Sequence, residues 1–109
     1  MQKGIVYRNQ VAIGMIVKEN GIYRFVYDQA YLKDPDAVPI SVCFPLEDEM
    51  FESNQLFSFF ANMLAEGNIK AIQCRDLQID EDDHFTRLLK TARSNTIGAI
   101  TIEELEEGS

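Results

Sequence analysis

Val11-Ala12-Ile13-Gly14-Met15-Ile16-Val17-Lys18-Glu19-Asn20-Gly21-Ile22-Tyr23-Arg24-Phe25-Val26-Tyr27 reads as two β-strands joined by a two-residue turn. A type I′ turn needs positive φ at both central residues, and Asn20-Gly21 tolerates it. So short a turn fixes the register: Lys18 faces Tyr23, Ile16 faces Phe25 and Gly14 faces Tyr27. Tyr23, Phe25 and Tyr27 then share a face with Ile16, and Gly14 leaves room for a ring to lie across its backbone. An aromatic stripe at strand spacing is expected to pack against helices rather than to hold a ligand. On the first of these strands the alternation predicts Val11, Ile13, Met15 and Val17 on one face.

Upstream, Gly4–Arg8 is a third β-rich run, separated from Val11 by a tight turn at Asn9-Gln10, which makes the N-terminal third a meander. Downstream, Asp34-Pro35-Asp36 is a loop signal. The segment Pro39–Phe44 is expected to form a short strand closed by Pro45, each proline sitting where its missing N–H does least harm.

The second half turns helical. A helix over 55–66 starts from an N-cap at Asn54 or Ser53 and ends at Gly67 as its C′ residue. It gathers Leu56, Phe57, Phe59, Phe60, Met63 and Leu64 on one apolar arc, with Ser58, Asn62 and Glu66 as the opposite stripe. A weaker helix over 68–77 is expected to turn Ile69, Ile72 and Leu77 inward. Asp80 is placed as the cap of a third helix, whose Phe85, Leu88, Leu89 and Ala92 fall at i, i+3, i+4 and i+7. Gly98–Ile102 reads as a last strand. The order predicts an α+β fold: a mainly antiparallel sheet, with the meander plus two further strands, and about three helices packed on one face. Residues 1–103 form one domain and 104–109 an acidic flexible tail.

Composition narrows the function. The chain has 109 residues with 18 acids against 10 Lys plus Arg, a net charge of −8. A nucleic-acid binder must neutralise phosphates, so direct DNA or RNA contact is not expected. No apolar run reaches the roughly 20 residues needed to span a bilayer, and the start lacks a secretion-signal core, which suggests a cytoplasmic protein. Cys43 and Cys74 lie far apart in no metal-binding spacing and are expected to pack as reduced, small apolar residues.

Catalytic templates fail one by one. The six glycines are scattered and build no phosphate-binding loop. His84, the only histidine, stands one position before Phe85 as a surface or edge side chain, and Ser41 has no base partner in view. Glu81, Asp82 and Asp83 suit a helix N-terminus better than a calcium loop. No catalytic residue, metal or cofactor is expected.

Several segments, in order, resemble the N-terminal domain of HipA-family serine/threonine kinases. They are Tyr27 with Tyr31-Leu32, Pro39-Ile40-Ser41 leading to Phe44-Pro45-Leu46, the run Leu56–Gly67, Asp83 with Phe85 and Leu88-Leu89, and Gly98-Ala99-Ile100. Ala65 stands where that family usually has proline, and 92–97 lacks its usual Gly-Asp. The chain stops where a full-length relative would continue into its kinase core. The resemblance implies a HipS-like subunit of a split toxin–antitoxin system, with no catalysis of its own, that binds a shortened HipT/HipA-like kinase and restrains it. A HipB-like DNA-binding protein would be an indirect partner. It is equally compatible with a subunit that completes a split kinase without inhibiting it; setting it aside leaves a generic protein-interaction domain. Ser58, Asn62, Glu66 and Gly67 are the candidate partner-binding residues, although a polar stripe is also the ordinary outer face of an amphipathic helix.

Overall fold

A computed structural model describes residues 1–64, 67–92 and 100–105. Its element order is β1 (Gln2–Arg8), β2 (Val11–Glu19), β3 (Ile22–Tyr27), α1 (Gln29–Leu32), β4 (Phe51–Ser53), α2 (Ser58–Ala61), α3 (Gly67–Leu77), α4 (His84–Thr91) and β5 (Ile100–Leu105). The strands form one antiparallel sheet in the order β4-β3-β2-β1-β5. The fold is α+β, with four helices among the described residues rather than about three.

The central hairpin forms as its sequence dictates. Asn20 and Gly21 both have positive φ, at 53° and 78°, and the register pairs Lys18 with Tyr23, Ile16 with Phe25 and Gly14 with Tyr27. The same physics closes the first turn, where Asn9 and Gln10 sit at φ 50° and 70°. Phe25 and Tyr27 are buried, as is Ile16 beside them.

The expected β2 face does not form. Val6 pairs with Gly14 but Tyr7 pairs with Ala12, so Ile13 is the extra residue of a β-bulge. The bulge turns Ile13 inward next to buried Gly14 and reverses the alternation on either side. Val11 is therefore 60% exposed, and Met15 and Val17 lie on the sheet face opposite Ile16. The Ile13 carbonyl, released from the ladder, accepts the Asp28 amide at 2.8 Å.

Pro39–Phe44 is not a strand either. Ser41 Oγ accepts the Cys43 amide at 3.2 Å and the Ser41 carbonyl accepts the Phe44 amide at 3.0 Å, so the chain turns back on itself. This local serine turn competes with a ladder that Pro39 and Pro45 could not join as donors. The strand next to β3 is β4 instead, where Phe25 pairs with Phe51.

The core lies between the sheet and α2 with α4, joining Val6, Ile16, Phe25 and Ile102 to Phe60, Phe85, Leu88 and Leu89. The α4 stripe is buried as its spacing predicts. Its N-cap, however, is Asp83 rather than Asp80: the Asp83 carboxylate accepts the Thr86 amide at 3.2 Å and its hydroxyl at 2.8 Å. Asp80 accepts the Asp82 amide and shapes the preceding turn. Cys74 is buried as expected, but Cys43 is exposed at the tip of the serine turn. Strand β5 runs through Leu105, so Glu104 and Leu105, which the sequence reading places in the tail, pair with Gly4 and Lys3. Gly98 and Ala99 lie outside the described residues, as do 106–109.

Gly14 carries the sharpest packing constraint. A Cβ there would lie 2.6 Å from the Val26 carbonyl oxygen and 3.0 Å from the Phe25 ring. Gly14→Ala is expected to cost about 1–3 kcal/mol by overpacking. Gly21→Ala, with open space around it but φ at +78°, should cost about 1–2 kcal/mol through the backbone alone. Urea denaturation of the two variants measures both.

Candidate partner-binding surface

Two tyrosines anchor the long loop between α1 and β4. The Tyr27 hydroxyl donates to the Phe44 carbonyl and accepts the Ile40 amide at 3.1 Å. The Tyr31 hydroxyl donates to the Val38 carbonyl at 2.7 Å and accepts the Val38 amide at 3.0 Å. A phenol can serve as donor and acceptor together, so each ring replaces strand pairing that the prolines forbid. The anchored loop packs Phe44 into the core and leaves Val42 98% exposed.

Burial pushes the Tyr27 phenol above its ordinary value; nearby Tyr31 adds to this, while the Ile40 amide and the Arg8 guanidinium oppose it. The raised direction means that the neutral, hydrogen-bonding phenol is the form the fold holds.

The expected helix over 55–66 is cut short. Ser53 Oγ accepts the Gln55 amide at 3.1 Å, so a turn occupies the start and neither Asn54 nor Ser53 caps a helix. The helix α2 begins at Ser58 after Phe57, which offers no side-chain cap. It closes through i→i+3 bonds, Met63 N–H to Phe60 carbonyl and Leu64 N–H to Ala61 carbonyl. Aromatic packing explains the tight geometry: Phe60 lies 5.2–6.3 Å from the rings of Phe25, Phe44, Phe57 and Phe59, which approach from several directions.

Of the candidate residues, Ser58 and Asn62 are exposed on this turn of helix. Glu66 lies outside the described residues. Gly67 is exposed with φ +64°, the left-handed conformation expected of it, but it opens α3.

Helix α3 reverses another expectation. Ile69, Ile72 and Leu77 are 61%, 49% and 47% exposed, and the buried residue is Cys74. Half-buried Lys70 and Gln73 fall with it at i, i+3 and i+4, so this is the face that docks. The aromatic rings already fill the core, and α3 lies outside it. Helix α2 thus presents polar Ser58 and Asn62, and α3 presents apolar Ile69 and Ile72.

A cleft of about 480 Å³ is bounded by Tyr23, Leu56, Leu64, Lys70, His84 and Arg87. Sequence reasoning missed Lys70 and Arg87 as lining residues. Arg87 sits within the apolar stripe of α4, two residues after Phe85, and is only 4% exposed. A cation at that spacing was the available signal. Among the described residues no group of His, Cys, Asp and Glu is arranged to hold a metal ion, and no helix is long and apolar enough to cross a membrane.

The model for the HipA N-terminal domain family matches residues 4–103, from β1 into β5. The chain belongs to the HipA N-terminal domain family. An uncharacterized protein of Haemophilus influenzae is 32% identical over 104 residues, 95% of this chain and 93% of that protein. A solved N-terminal domain of HipA toxin aligns with a TM-score of 0.73 at 28% identity, covering 98% of this chain and 95% of that one. The bulge, the anchored loop and the short α2 therefore belong to a chain with the HipA N-terminal domain fold.

Tyr27→Phe leaves the Ile40 amide and Phe44 carbonyl without their phenol partner and is expected to cost about 1–3 kcal/mol. The raised phenol predicts an alkaline signature as well. The unfolded chain ionises first, so Tyr27's contribution is intact below about pH 10 and is lost as pH rises through the higher folded value. Thermal unfolding across alkaline pH, with tyrosinate absorbance, should show a steeper loss in the parent than in Tyr27→Phe.

Proposed function

We propose that this chain is a non-catalytic subunit that binds a HipT/HipA-like serine/threonine kinase and restrains it as an antitoxin. The observation that supports this reading most is the pair of coverages in the Haemophilus influenzae relative. A match of 104 residues accounts for 93% of that protein, so the domain occurs there with almost nothing attached. A domain with the HipA N-terminal fold but no kinase core alongside it is suited to acting on a kinase in trans. Among the described residues, Gly4 and Gly14 stand where a side chain would clash and Gly21 and Gly67 take left-handed backbone, so these four serve packing and turns.

The contact surface in this reading is the exposed side of α2 and α3, with Ser58, Asn62, Glu66 and Gly67 as its polar part. Exposed Ile69 and Ile72 extend it with apolar area that a partner would cover. Restraint follows from differential binding: a subunit that fits the inactive arrangement of the kinase better than the active one shifts the population toward it. A HipB-like DNA-binding protein would then join through the kinase, in keeping with a net charge of −8 that disfavours direct DNA contact.

Co-expression with a shortened HipA-type kinase tests this directly. The expected result is co-purification of the two chains and rescue of growth from kinase toxicity. Asn62→Arg, on an exposed position, should weaken binding at least about tenfold, or 1.4 kcal/mol, with unchanged thermal unfolding. Binding without rescue would instead identify a subunit that completes the kinase, and absence of binding would overturn the reading.

A further inference from the structure

We infer that the outer edge of β4 takes up an extended segment of a partner protein as an added strand, in which a basic side chain is flanked by aliphatic ones. The inference does not rest on the kinase reading, because it concerns the form of the bound segment and not the protein that carries it.

The free main-chain groups follow from register. In a hairpin with a two-residue turn the flanking residues, Glu19 and Ile22, exchange both main-chain hydrogen bonds, and the pattern alternates from there. Arg24 is therefore bonded to β2, while Tyr23 and Phe25 turn their N–H and C=O groups toward β4. Their partners there are Ser53 and Phe51, so Glu52 between them directs its own N–H and C=O away from the sheet. Strand β4 is the last on its side, and among the described residues no hydrogen bond outside the sheet engages the main chain of Glu52. An edge in this state is a template for strand addition.

Beside the edge lies a cavity of about 400 Å³. Among the described residues it is lined by the three of β4, by Cys43 and Phe44 of the serine turn, and by 55–59. Its wall is aromatic, with the Phe44 ring 5.2 Å from that of Phe51 and 5.1 Å from that of Phe57. Successive side chains of a strand point to opposite faces. The residue opposite Glu52 in an added strand thus shares the open face of the sheet with the Glu52 carboxylate, and its two neighbours enter the aromatic cavity.

Charge selects the residue opposite Glu52. Residues 47–53 carry four acids, Glu47, Asp48, Glu49 and Glu52, and no Lys or Arg. Arg24 Nε donates to Glu52 Oε2 at 2.6 Å, and among the described residues Oε1 has no partner, on a side chain 56% exposed. A lysine or arginine meets that oxygen while aliphatic neighbours cover the rings. A second copy of this chain is a poor occupant, since pairing β4 with β4 sets like charges against each other.

Amide chemical-shift titration of the isotope-labelled chain tests the inference, with acetyl-Thr-Val-Arg-Val-Thr-amide as the probe. Two further peptides carry glutamate in place of the arginine, or the arginine N-methylated. Saturable shifts are expected at residues 43–44, 51–53 and 57–59, with the Glu52 amide moving downfield as its hydrogen bond forms. The glutamate and N-methyl peptides should each bind at least about tenfold more weakly, the first through charge and the second through the lost main-chain donor. Glu52→Pro removes an N–H that β3 does not use, so the variant should fold and lose the binding. The inference would be overturned by equal binding of the N-methylated peptide, by the absence of saturable shifts at 51–53, or by dimerisation through β4 without peptide.

Discussion

The ring of Phe25 has no solvent exposure and lies 5.0–6.3 Å from four other rings, those of Tyr27, Phe44, Phe51 and Phe60. Those partners come from β3 itself, the anchored loop, β4 and α2, so a single side chain ties the sheet to the loop and to α2. Aromatic pairs of this kind contribute about 0.5–1.5 kcal/mol each beyond their buried area. Phe25 faces inward because the Asn20-Gly21 turn sets its register against Ile16. A slip by one residue would turn the aromatic face to solvent and expose the helices' partner surface.

The tyrosines extend this constraint outward. Tyr27 packs edge-on against Phe25 while its hydroxyl, at the far end of the ring, holds the Ile40–Phe44 turn. Tyr31 stacks on Tyr27 and fixes Val38 in turn. The loop is thereby ordered without ladder pairing, and it delivers Phe44 into the cluster. Helix α2 depends on the same cluster through Phe60, which explains how a helix of four residues can hold its place. Alone, a helix that short would not persist in water.

Local signals were legible in the sequence wherever one or two residues decide the backbone. Asn20-Gly21 and Asn9-Gln10 gave their turns, and the α4 stripe gave its buried face. The misses share a different cause. Ile13 looks like an ordinary alternating residue, since nothing local marks the bulge; it is decided by pairing with β1. Pro39–Phe44 carries strand-like residues, yet the hydroxyls of distant tyrosines take its backbone groups. Ile69 and Ile72 read as core because apolar spacing alone cannot tell that the core is already full. Of the candidate surface, the exposure of Ser58 and Asn62 could be placed from the polar stripe and the left-handed backbone of Gly67 from its being glycine, although Gly67 opens α3 rather than ending α2. The cleft could not, because Lys70 and Arg87 lie on different helices and share its lining only in the folded chain.

The proposed partner surface comprises the exposed side chains of α2 and α3, Ser58 and Asn62 with Ile69 and Ile72, and not the open face of the sheet, where half-buried Met15, Val17 and Val26 lie. Amide hydrogen exchange, measured on the chain alone and bound to the HipA-type kinase, compares the two surfaces in one experiment. The account predicts added protection in 58–62 and 67–77, with β1, β2 and β3 unchanged. Protection confined to the sheet, with α2 and α3 exchanging as in the free chain, would contradict it.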